Sequence, residues 1–281
     1  ELLAGNALDI TLHESLTNND GTVYAGGNAT LDTATLINTG TVAAADNLTI
    51  NASGVNSSGT LAAGLNSDGK LNEFAEDGSA LSVTTTGDLV ATGTNLAAGS
   101  LAFDGDNIDL SKSQTSAYNA DIIARGAQAS RQANVVIQEK LTLQAEGGLD
   151  NTGGILSSQQ GDLTVQALSL NNNQGELIAG NALDITLHES LTNTGGTVYA
   201  GGNATLDTGS LTNTGTIAAA DDLTIDAVSV ASTGTLAAGL NEDGSLNAFD
   251  ADGAALRVTT SGDLSATGTN LAAGSLTLEG G

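Results

Sequence analysis

Apolar and polar positions alternate at period two along most of this chain, in short runs broken by Gly and Asn. In residues 176–196, ELIAGNALDITLHESLTNTGG, Leu177 and Ala179 share one face, then Leu183 and Ile185, then Leu191 and Asn193. The pattern predicts three short strands per unit. The following units keep the frame with Val198/Ala200, Ala204/Leu206 and Leu211/Asn213, then with Ile217/Ala219, Leu223/Ile225 and Val230/Ser232. Units close at Gly196, Gly215 and Gly234, so their length is 19 to 21 residues.

A unit this small, with one apolar side and no helical periodicity, buries that side only by stacking on copies of itself. The predicted fold is all-β, a parallel β-helix (solenoid) of about thirteen coils, each strand pairing with its equivalent one coil away. Like residues then form ladders. Asn18, Asn38, Asn151, Asn172, Asn193 and Asn213 each stand two residues after a Leu at the end of a unit, where stacked amides can hydrogen-bond along the axis. The alternative is that these Asn residues are ordinary turn formers.

A second repeat is superimposed on the first. Residues 1–106 align without a gap on residues 176–281, with 80 identities in 106 positions, and residues 107–175 complete a 175-residue block. The chain is expected to be a single continuous β-helix over 1–281, and it starts and stops in mid-pattern, as a piece of a longer protein does. The fourth coil carries an insert, residues 66–80, which returns as residues 241–255. These acidic, Gly-containing inserts raise a calcium reading, with Asp68, Glu76, Asp243 and Asp250 among the oxygen donors. The spacing does not match a calcium loop: with Gly69 in the sixth place, the first and twelfth places fall on Gly64 and Ala75, neither a ligand. The expectation is a solvated loop anchored by Phe74 or Phe249, with no metal. The sixth coil, residues 114–134, is the least regular, and a short helix or protruding loop is expected there. Lys112, Arg125 and Arg131 would form a local positive spot.

Composition narrows the function. The chain has 37 Gly, 2% aromatic residues and no Cys, Pro, Met or Trp, which suits a narrow interior of repeated small layers and excludes disulfides as a source of stability. The formal charge of −26, from 32 acidic and 6 basic residues, counts against a nucleic-acid partner bound through phosphates. No run of 18 apolar residues and no leader pattern occurs, so neither a membrane-spanning helix nor a signal peptide is expected within these residues.

Catalytic chemistry finds little to work with. The two histidines, His13 and His188, occupy equivalent places in the duplicated block, as do Tyr24 and Tyr199, whereas a catalytic constellation gathers its partners in one place. Asp9, Asp184, Asp32 and Asp207 are outward members of alternating strands and read as solvated faces. No GxSxG, Walker loop, CxxC or HExxH is present, and no cofactor is expected. A β-helical carbohydrate-active enzyme is the distant alternative. Ice binding is disfavoured because Thr-x-Thr spacing is not sustained from coil to coil.

Units of the form T-L-x-A-G-x-x-L-x-I that close with L-x-N-T-G resemble the haemagglutinin repeats of filamentous haemagglutinins and of the CdiA-like contact-dependent growth inhibition exoproteins. The resemblance covers most of the chain apart from the inserts and part of the sixth coil. It implies a right-handed β-helix in a filament exported by the two-partner route to the surface of a Gram-negative cell. The implied partners are the rest of the filament and its outer-membrane transporter, with a host or neighbouring-cell receptor bound distally. No residue here matches the family's secretion, receptor-binding or toxin regions. The function expected is a spacer, with direct adhesion through the inserts or the sixth coil as the alternative.

Overall fold

The computed structural model describes residues 1–281 and divides into two compact units, Glu1–Gly147 and Gly148–Gly281. Both are parallel β-helices, and the chain contains no helix.

In the first unit, one sheet stacks the short strands Leu2–Ala4, Thr22–Ala25, Thr41–Ala44, Thr60–Ala63, Thr94–Ala97, Gln114–Ala117 and Asn134–Ile137. Equivalent residues lie over one another: Val23 pairs with Val42, and Val42 with Leu61. The opposing sheet begins with the long strands Leu8–Asn18, Ala29–Asn38 and Leu48–Ser57, where Leu31 pairs with Ile50 and Ile50 with Val83. The second unit repeats the design with Ile155–Ser158, Glu176–Ala179, Thr197–Ala200, Thr216–Ala219, Thr235–Ala238 and Thr269–Ala272 on one side. Leu163–Asn171, Leu183–Asn193, Ala204–Asn213 and Leu223–Ser232 face them.

Inward positions are filled by these aliphatic ladders, which are fully buried. Full burial of each Leu, Ile or Val is worth about 1.5–3 kcal/mol against exposure. The largest core side chain, Phe103, sits between Val83 and Ile122 of the neighbouring coils.

Three short strands per coil were expected. In many coils the second and third merge into one bent strand, because hydrogen bonding continues through the corner. Thr33 helps: its hydroxyl donates to the Glu14 carbonyl at 2.7 Å, satisfying a backbone acceptor that the bend exposes. The 21-residue coils fit on 19-residue neighbours by absorbing extra residues at corners. Register shifts between Leu12 and Ser15, so that His13 and Glu14 form a bulge, and Asp20 takes φ 49° in the closing turn. The strands themselves keep their pairing.

The sixth coil is neither helical nor protruding. Gln114–Ala117 and Asn119–Ala124 are regular strands with Thr115, Ala117, Ala120, Ile122 and Ala124 buried, so Ala and Thr preserve the period of two that the unusual composition obscures.

The inserts leave after Ala63 and Ala238 and turn back toward the short-strand sheet. An antiparallel bridge joins Leu65 to Leu71 and, in the second copy, Leu240 to Leu246. Asn72 N–H donates to the Gly64 carbonyl at 2.8 Å, Ala75 N–H to Ala98, and Asp250 N–H to Ala273. Residues Ala43 and Ala62, outward by alternation with Val42 and Ala44, are nevertheless buried, as are Ala218 and Ala237. The phenylalanines do not anchor these loops: Phe74 is 40% and Phe249 78% exposed. Backbone hydrogen bonds hold the segments instead, which leaves the aromatic rings free to point outward.

Candidate functional site

The most repeated polar feature lies at the end of the long strands. Asn18 Nδ2 donates to Asn38 Oδ1 at 2.8 Å, and Asn38 Nδ2 passes the chain on to Ser57 Oγ at 3.0 Å. In the second unit the run is longer: Asn151 to Asn172 at 2.8 Å, Asn172 to Asn193 at 2.9 Å, Asn193 to Asn213 at 2.9 Å, then Ser232 Oγ at 3.1 Å. All six Asn side chains are buried. Asn18, Asn151, Asn172 and Asn193 also donate to the carbonyl three residues on, Asn193 to Gly196 at 3.2 Å. Asn193 Nδ2 also reaches a carbonyl of the next coil, that of Thr216, at 3.1 Å. One amide thus closes its own turn and ties it to its neighbour. Close stacking at this corner leaves no space beside it: a Cβ on Gly215 collides with the Gly196 carbonyl, and one on Gly234 with that of Gly215.

A second buried polar set has no Asn-Thr-Gly signature. Asn95 Nδ2 donates to the Ala91 carbonyl at 3.0 Å and to Thr115 Oγ1 at 3.1 Å, and Ser113 Oγ lies 3.1 Å from Thr115 Oγ1. Gln128 Nε2 donates to Ser130 Oγ at 3.3 Å. The signal was present in the alternation, since Asn95 pairs with Leu61 and therefore occupies an inward apolar place. Its Oδ1 and the Oε1 of Gln128 have no hydrogen-bond partner.

Outward rows carry the charge. Asp32 accepts from Asn51 Nδ2 at 2.7 Å on the adjacent coil, while the equivalent Asp207 faces Asp226 in register. Arg125 donates to Asp106 Oδ1 at 2.9 Å and also binds Asp104 and the Thr85 carbonyl, so it staples three coils rather than forming a free positive spot. The hydrogen bond to Asp106 first, and then that to Asp104, raise the pKa of Arg125 against the opposing effect of desolvation.

The four acidic insert residues do not converge. Asp243 accepts from the Ser245 hydroxyl at 2.6 Å and from Ser245 N–H at 2.9 Å, and these bonds hold its carboxyl below the usual carboxylate range. Asp68 pairs with Lys70 at 3.3 Å, and Asp250 accepts Asp252 N–H at 3.1 Å. No group of three or more His, Cys, Asp or Glu side chains, Glu76 included, is arranged to hold a metal.

The haemagglutinin repeat family model matches residues 3–93, 75–153, 96–174, 144–195 and 161–281. This chain belongs to the haemagglutinin repeat family. Among curated proteins, this haemagglutinin-repeat chain is 32% identical over 275 residues to a protein named Toxin CdiA from Yersinia pestis. The match takes in 97% of the chain and 7% of that relative's length. No solved structure gives a significant match.

Proposed function

We propose that this chain is a spacer within a large secreted adhesin or contact-dependent growth inhibition exoprotein, one that carries binding or toxin regions away from a Gram-negative cell surface. Coil-on-coil register carries this reading: Thr197, Thr216 and Thr235 stand in one row and Val198, Ile217 and Leu236 in the next, so length grows by repetition. We further propose that the whole of 1–281 works as one continuous β-helix, with the rest of the filament and its outer-membrane transporter as partners. Non-enzymatic function is supported by the chemistry on the surface. His13 and His188 stand in corner bulges, and Asp9, Asp32, Asp184 and Asp207 stand in register with Thr30, Thr11, Thr205 and Thr186 rather than with a basic residue that would bind a sugar acid.

The test is a parent protein shortened by one 175-residue block. A spacer keeps its distal binding or toxin activity and loses reach of roughly 40 Å, eight coils at about 4.8 Å each. Loss of target binding, with the distal regions intact, would contradict the spacer reading. Direct adhesion through the inserts is the second reading, favoured by the exposure of Phe74 and Phe249. Binding of the isolated chain to a glycan array or to target cells would establish it.

A further inference from the structure

Three stacked coils of the second unit form a groove to which its insert adds one side chain, Glu242. A cavity of about 340 Å³ opens beside Tyr199, lined among others by Ser157, Gln159, Ile178 and Glu242. Tyr199 points outward from Thr197–Ala200, since Val198 and Ala200 on either side are buried in the core. Its pKa is raised, first by burial and then by the negative charge of Glu242, with Asp243 and Asp221 adding to it and the Glu242 backbone opposing them. An aromatic ring in a groove, with a carboxylate from the overlying insert beside it, is suited to a cation. The ring face and the carboxylate both favour positive charge, and the polar Gln159 and Ser157 leave oxygens for its N–H groups. A net charge of −26 draws cations to the surface and repels anionic ligands.

We propose that this groove binds an alkylammonium group of the kind a lysine side chain on a partner protein presents, with Tyr199 beneath the cation and Glu242 beside it. The duplicated block contains its own control. Tyr24 is the equivalent of Tyr199, but Ser67 stands where Glu242 does and Leu3 where Ile178 does, so the first copy has the ring without the carboxylate. The carboxylate beside the ring is therefore a property of the second insert. The groove would give a spacer one lateral contact point, and it does not depend on the spacer reading.

The whole chain is titrated with Nα-acetyl-lysine amide while the ring resonances of its three tyrosines, assigned with Tyr→Phe variants, are followed by NMR. Saturable movement of the Tyr199 signals is expected, with a dissociation constant on the order of millimolar, as one solvent-open cation–π contact with a carboxylate allows. Glu242→Ser, which installs the residue of the first copy on an exposed loop position, is expected to weaken binding at least about fivefold while leaving the circular dichroism unchanged. The proposal is overturned if the Tyr199 signals move without saturating, or move equally with uncharged Nα-acetyl-norleucine amide or with sodium chloride at matched ionic strength. An affinity unaltered by Glu242→Ser overturns it as well.

Discussion

At the scale of single residues, the chain sets buried amides against exposed carboxylates. We propose that the Asn ladder is structural. A buried amide is costly when its donors and acceptor lack partners, and stacking supplies Asn193 with Asn172 on one side and Asn213 on the other. Asn193→Leu is expected to cost about 1–3 kcal/mol, because it strands the groups of both neighbours. Since repeat stability is local plus nearest-neighbour, hydrogen exchange should quicken in the adjoining coils, those of Leu163 and Leu206, and stay slow around Leu141. Unchanged exchange would remove the ladder from the account. A second prediction comes from comparing the two copies. Asp226 faces Asp207 where Asn51 donates to Asp32, so Asp226→Asn exchanges a like-charge pair for a hydrogen bond. Denaturant unfolding should show a stabilisation of about 0.2–1 kcal/mol, shrinking as salt is added. A destabilised variant would mean that the pair is not in register in solution.

Elements are held by their corners as much as by their strands. Gly215 and Gly234 stand where the chain of one coil passes directly over the carbonyl of the last, so Gly215→Ala must push the coils apart. We expect a loss of about 1–3 kcal/mol, the usual cost of overpacking, seen as a lower unfolding midpoint. The inserts make the opposite prediction. With Asp243 satisfied by Ser245 and Asp68 by Lys70, calcium should move the melting temperature no more than sodium chloride of equal ionic strength. A calcium-specific rise would return these carboxylates to the role of ligands. The strands were legible in the sequence because period two places Leu183, Ile185 and Leu191 on one face and Gly marks the turns. Three things were not. A corner that keeps its hydrogen bonds looks, in sequence, like one that breaks them. An inward Asn95 looks like any polar strand residue. And Phe249 carries no sign of whether backbone bonds have already anchored its loop. The groove at Tyr199 was equally hidden, since it joins residues from coils more than forty positions apart.

At the scale of the whole molecule, the proposed role rests on addition. Two blocks that share 80 of 106 aligned positions present the same strands and turns, and each unit builds its core from within-unit ladders. Such a chain gains length without needing a new core. A net charge of −26 makes copies of the chain repel one another, and this repulsion weakens as salt screens it. The measurement that tests the account most directly is small-angle X-ray scattering of this chain beside a version lengthened by one 175-residue block. The account predicts that the largest dimension grows by roughly 40 Å while the cross-sectional radius of gyration stays constant. A cross-section that thickens with the added block, or a largest dimension that barely grows, would contradict it.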